Sequence, residues 1–151
     1  MIRVVLDTNV LINADRGEFS YGKRLLELVR QGKLTAVTTS AVRRENELLV
    51  GRLVNDQRLA RELKVFFGLA QQIQSAKVTV TIEDEEDIKL LAAAVGGGAQ
   101  FLITSDRHLL ELGEYQGVRV VRPAEFWQWW QVHQDEAGET WSSWARGIFG
   151  Q

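Results

Sequence analysis

At 151 residues, with 45% apolar and 25% charged side chains, the chain has the length and composition to bury one substantial core. A net charge of −2 supplies no global basic field of the kind that coats nucleic acid. The absence of cysteine excludes disulfides and zinc–thiolate centres, and two histidines are too few for a histidine-built metal site.

In chain order, Ile2–Leu6 is short, β-branched and without alternation, which predicts a strand buried on both faces. This opening run is broken at Asp7 and lacks the layout of a secretory signal. No stretch reaches the ~18 apolar residues of a membrane span, so a cytoplasmic location with no membrane partner is expected. A helix is expected from near Val10, capped by Asp7 or Asn9. Phe19–Gln31 carries Leu25, Leu26, Leu28 and Val29 at helical spacing and stops at Gly32. Thr35–Thr38 is a strand candidate, and Ser40 is placed to cap a helix running to about Val50. Asn55–Ala76 gives one long amphipathic helix, with Leu59, Leu63, Phe66, Phe67, Ala70 and Ile73 as its apolar stripe. Arg58, Arg61 and Lys64 on that helix read as exposed charges.

Lys77–Ile82 alternates as a strand, and "DEEDIKLLAAAV" from Asp84 is a helix closed by Gly96–Gly98. That glycine run follows a helix and lacks a phosphate-loop lysine, so it reads as a C-cap turn. Gln100–Thr104 is a strand, Asp106–Leu112 a short helix and Val118–Arg122 a last strand. Pro123 then opens the helix "PAEFWQWWQ". Strand and helix alternate throughout, which predicts a three-layer α/β/α fold with a central, mainly parallel sheet. The pattern fades after residue 133, so residues 1–133 are assigned to the folded domain and 134–151 to a tryptophan-containing tail. All five tryptophans follow residue 126. Phe126, Trp127 and Trp130 would pack on the sheet, leaving Trp129, Trp141 and Trp144 surplus to the core.

Ligands of open α/β sheets bind beyond the carboxyl ends of the strands. Asp7 and Asp106 follow strands directly, and Asp87 lies in the first turn of a helix that follows one. Each also has an ordinary structural role. Asp7 and Asp106 could cap helices, and Asp84 and Asp87 are spaced as a capping box. Glu45 differs: it falls on the face of its helix drawn by Val42, Leu48, Leu49 and Leu53, whereas Glu47 falls with Arg43 and Arg44 on the opposite side. An ionised acid facing inward requires a partner or a metal. Several carboxylates at one sheet edge repel, and their natural neutraliser is a hard divalent cation, Mg²⁺ or Mn²⁺. Such an ion activates water and stabilises charge on phosphate, which suits phosphodiester hydrolysis.

The segments "VVLDTNVLI", "SAVRRENELL", "DEEDIKLLAAAVGGGAQFLITSDRHLLEL" and "VRVVRPAEF" together resemble a PIN domain, from Ile2 to about Phe126. The resemblance is to the VapC-like toxin ribonucleases of toxin–antitoxin systems. It implies a Mg²⁺- or Mn²⁺-dependent ribonuclease whose acidic quartet is Asp7, Glu45, Asp87 and Asp106, used for catalysis and as metal ligands. Asn9 matches the residue that supports the first aspartate, and Thr104 or Ser105 the hydroxyl beside the last. An RNA substrate, a protein antitoxin and a homodimer are implied as partners. His108 departs from the pattern by standing where many relatives carry a further acid. It could contact RNA, as could Arg43 and Arg44.

Two other readings stand beside this one. A haloacid-dehalogenase-like phosphotransferase wants a second acid two residues after the first, where Asn9 stands. A non-catalytic binding module of the same fold would be expected to have lost an acid, yet the quartet is complete.

Overall fold

The computed structural model describes residues 1–15 and 20–137. Strand β1 (Ile2–Leu6) is central. It pairs in parallel with β2 (Leu34–Thr38) on one side and β4 (Phe101–Ile103) on the other. With β3 (Gln71–Gln72), β5 (Glu114–Tyr115) and β6 (Val118–Val121), the described sheet has six strands in the order β3-β2-β1-β4-β6-β5, parallel except at β5, which runs antiparallel to β6. The apolar residues of β1 divide by parity. Val4 and Leu6 face a core under helices α2 (Tyr21–Arg30), α4 (Gln57–Leu69) and α7 (Pro123–Ala137). Val5 faces a second core under α5 (Glu85–Gly96) and α6 (Arg107–Leu110). Helices therefore cover both faces, and the three-layer α/β/α architecture follows from a strand with no polar side.

Several boundaries differ from the sequence expectation. Helix α1 (Thr8–Ile12) begins at once after its cap, Asp7. Thr39, not Ser40, caps α3 (Ser40–Leu53): its backbone is extended and its hydroxyl accepts the Val42 N–H at 3.1 Å. The expected helix over 55–76 is shorter. Asp56 caps it by accepting from Arg58 and Leu59, and it ends at Leu69, where Ala70 turns extended. The chain then joins the sheet as β3 (Gln71–Gln72), and the Ile73 N–H donates to the Thr38 carbonyl. Leu59, Leu63, Phe66 and Phe67 keep the buried stripe, whereas Ile73 packs against the other core.

Lys77–Ile82 is not a strand of the sheet. Val78, Val80 and Ile82 lean on the second core, but no ladder forms. Its alternation records one buried side rather than strand pairing. Strand β5 went unforeseen; it turns back through Gln116 and Gly117, both at positive φ. Trp129 is not surplus. It packs beside the first core, with its ring 4.7 Å from Phe101 and 4.6 Å from His133. The α7 helix runs on to Ala137, and Trp141 and Trp144 lie outside the described residues.

Segment 73–83 is held against the end of α5 by close backbone approach. The Ala76 N–H donates to the Ala92 carbonyl, and a Cβ on Gly96 would lie 2.2 Å from the Gln74 carbonyl oxygen and 2.7 Å from the Ala76 nitrogen. Gly51, inside α3, has nothing within 4 Å of such a Cβ. Gly96→Ala should therefore lower stability by about 1–3 kcal/mol or more through backbone displacement. Gly51→Ala should raise it by about 0.5–1 kcal/mol through helix propensity. Urea melts of the two variants, read by circular dichroism, check both signs.

Candidate active site

Strand order reverses beside β1, since β2 follows it on one side and β4 on the other. A crevice opens at such a switch point beyond the carboxyl ends of the strands. There a cavity of about 150 Å³ is lined by Asp7, Glu45, Asp84, Glu86, Asp87 and Asp106, together with Thr8, Asn9 and Asn46. No lysine or arginine lines it. All four acids singled out from the sequence meet here, with Asp84 and Glu86 as additional acids.

Asp7 is fixed by the sheet itself. Its N–H donates to the Ile103 carbonyl at 3.0 Å, which extends the β1–β4 pairing by one step. Its Oδ2 accepts from the Thr104 hydroxyl at 2.7 Å, while Oδ1 receives a long 3.5 Å bond from the Asn9 N–H. The same Thr104 oxygen accepts the Asp106 N–H at 3.0 Å. One fully buried hydroxyl therefore ties the first acid to the last. Thr104 makes this link; Ser105 is exposed and lies outside the cavity lining. Asp106 caps α6, its Oδ1 accepting from His108 and Leu109.

Asp87 behaves otherwise. Asp84 does cap α5, accepting the Glu86 N–H at 2.9 Å, but Asp87 returns no bond to complete a capping box. Its Oδ2 is buried without a hydrogen-bond partner. Burial first, then the charges of Asp106, Asp84 and Asp7, push its pKa up to about 6. Asp7 is also raised, chiefly by burial and despite the Thr104 bond. These shifts mark carboxylates that lack a positive partner.

Glu45 is half-buried at the cavity wall. The face expected for α3 needs correction: Leu48 and Leu53 are exposed, and the buried line is Val42, Asn46 and Val50. Glu45 borders that line. Asn46, which sequence reasoning passed over, lies on it, and its side-chain oxygen accepts a hydrogen bond from the Thr8 hydroxyl. The bond joins α1 to α3 next to Glu45. A polar residue four from Val42 and four from Val50 was the available signal. Asn9 is exposed at the rim, and its contact with Asp7 runs through the backbone. Arg43 pairs with Glu47 at 2.9 Å away from the cavity lining, Arg44 is exposed, and His108 is exposed two residues from Asp106.

The donor set suits a hard cation: carboxylate oxygens, one of them orphaned, and no competing base. Among the described residues no three acidic or histidine side chains are drawn close enough to hold one ion in this arrangement. The fit thus lies in chemistry and unmet charge rather than in a closed ligand shell.

A family model described as PIN domain matches residues 3–108. Among solved structures, the chain is similar in fold to VapBC2 from Rickettsia felis bound to a DNA fragment from their promoter. The TM-score is 0.52 at 14% identity, and the match covers 79% of this chain and 97% of that one. No curated protein matches the sequence.

The raised pKa of Asp87 has a thermodynamic consequence. Between its ordinary value of 3.8 and about 6 the folded state binds the proton that the unfolded state releases. Stability without added cation should therefore fall as pH rises through that window, by up to about 3 kcal/mol from this group. Asp87→Asn should raise the melting temperature at pH 7.5 and leave it near wild type at pH 4. Calorimetric scans in EDTA at the two pH values test the sign.

Proposed function

The chain belongs to the PIN domain family, and on that premise we propose that it is a Mg²⁺- or Mn²⁺-dependent endoribonuclease and the toxin of a toxin–antitoxin pair. The observation that carries the reading is the convergence of Asp7, Glu45, Asp87 and Asp106 on one cavity at the switch point, with Asp87 Oδ2 buried and unpartnered. These four side chains would hold the ion. A bound Mg²⁺ or Mn²⁺ supplies an activated water and a counter-charge for the phosphate.

The chain's own contribution is positional. Thr104 holds Asp7 Oδ2 and the Asp106 backbone at once, which sets the spacing of the two strand-end acids. The Thr8–Asn46 bond fixes α3 against α1, so that Glu45 stands across the cavity from the strand ends. Hydrolysis needs a water oxygen to attack phosphorus, the bond to the leaving ribose oxygen to break, and that oxygen to take up a proton. No covalent enzyme intermediate enters this scheme. His108, exposed two residues after Asp106, would meet substrate phosphate, as would Arg43 and Arg44 of α3.

The protein antitoxin enters the reading through the likeness in fold to VapBC2. A homodimer is part of it too, and the exposed Leu48 and Leu53 of α3 and Leu69 of α4 are apolar surface of the kind that self-association buries. No described helix is long and apolar enough to cross a membrane.

Purified protein should cleave RNA with Mn²⁺ or Mg²⁺ and stop on addition of EDTA. Asp7→Asn and Asp87→Asn should each lower the rate roughly 100-fold or more, the scale of several kcal/mol in a barrier. Thr104→Val should cost about tenfold, the scale of one lost hydrogen bond to a charged group. Gel assays on several RNA classes give the rates. Intact RNA with metal-loaded protein, or no Mn²⁺ binding by calorimetry, would overturn the assignment in favour of a non-catalytic module.

A further inference from the structure

A second groove shares no residue with the acidic cavity. It is an open channel of about 930 Å³ between α2, α4 and α7. Its cations are Lys23, Arg24, Arg30, Lys33, Arg58 and Arg61, against the acids Glu27 and Glu62. Both acids are already engaged, Glu27 with Arg30 and Glu62 with Arg58 at 3.7 Å. Among the described residues Lys23, Lys33 and Arg61 have no acidic partner within 4.0 Å, and Arg24 is held between the rings of Tyr21 and Trp127. The groove therefore keeps a net positive charge in a chain whose overall charge is −2.

Its direction is set by the topology. Helix α2 ends at Arg30, and the chain turns through Gly32 into β2, whose first residue pairs with Ile2 at the amino edge of the sheet. Lys33 therefore marks the amino edge. Lys23 and Arg24, in the first turns of α2, lie toward the carboxyl edge where the acidic cavity opens. The positive surface leads from one edge to the other.

We propose that this groove is a second RNA-holding surface, gripping the phosphate backbone of a substrate strand at a distance from the scissile bond. The inference rests on the ribonuclease reading. A cavity lined by six carboxylates and no lysine or arginine offers a polyanion little to hold beyond the ion it would bind. Affinity for nucleic acid comes largely from cations on phosphates, and the groove holds six cations where the acidic cavity holds none. Four of its six cations are arginine, whose planar fork matches phosphate oxygens in pairs.

The test uses full-length protein with Asp7→Asn as background, so that RNA stays intact, and a fluorescent 20-nucleotide single strand. Lys23→Gln, Lys33→Gln and Arg61→Gln combined should weaken binding by at least tenfold at 0.1 M salt. The slope of log K against log salt should become shallower by about 2, at roughly 0.7 per phosphate for three phosphates. In the active background the same substitutions should slow cleavage of the 20-mer and leave cleavage of a tetranucleotide at its wild-type rate. A circular dichroism melt identical to the parent shows that the fold is kept, and the single Lys33→Gln variant gives a smaller loss in the same direction.

Unchanged affinity and slope in the triple variant would overturn the proposal. So would poly-glutamate binding the groove more tightly than RNA at equal ionic strength, which would assign it to an acidic peptide. Groove-dependent RNA binding without any cleavage by the wild type would leave this surface standing and remove the nuclease reading. Cleavage that ignores the groove, on long and short RNA alike, would do the reverse.

Discussion

The hydroxyl of Thr104 is the joint on which the site depends. It donates to Asp7 and accepts from the backbone of Asp106, and it lies at the seam where β1 and β4 run side by side. Parallel pairing of these two strands brings their carboxyl ends level, and the Asp7 N–H extends the pairing one step past β1. Two acids 99 positions apart in the sequence thus become neighbours through the sheet alone. A threonine serves here because a buried hydroxyl can donate and accept at once, and both roles are filled.

Around that joint the structure accumulates charge that it does not neutralise. Folding stability alone would favour a lysine, an amide or an apolar residue at Asp87, whose Oδ2 is buried with no donor. Instead Asp106, Asp84 and Asp7 all add to the burial that disfavours its ionised form. Such local conflict is what distinguishes a functional site from a well-packed edge. By contrast Asp84, which caps α5, and Asp56, which caps α4 elsewhere, each have one carboxylate oxygen taken by backbone donors.

How much of this the sequence disclosed depends on the kind of signal. Asp7 and Asp106 stand directly after apolar runs, so strand ends and sheet topology were enough to bring them to one edge. Asp87 was ambiguous because its spacing from Asp84 is also that of a capping box; only the missing return bond separates the two roles. Glu45 was placed inward by a face half wrongly drawn, since Leu48 and Leu53 point outward. Its position survives because Val42 alone was enough to orient that turn. Asn46 and Thr8 were missed because a buried polar pair contributed by two helices has no local pattern. Lys77–Ile82 shows the converse, a strand-like alternation produced by packing against α5 and the second core without a ladder. The cationic groove was invisible for the same reason as Asn46. Its cations come from α2, the turn that follows it and α4, far apart in sequence, and each alone is an ordinary surface residue.

The two surfaces together bear on how a chain of net charge −2 could act on RNA. Net charge averages over a molecule, whereas binding samples the field near one surface. Here negative charge is gathered at the carboxyl edge of the sheet, where a cation would invert its sign for an approaching phosphate. Positive charge is gathered in the groove along α2 and α4, where a strand would be attracted without an added ion. Mixing the two sets would satisfy both as ion pairs and leave neither able to bind. Their separation by the sheet keeps the carboxylates in want of a cation and the cations in want of a polyanion.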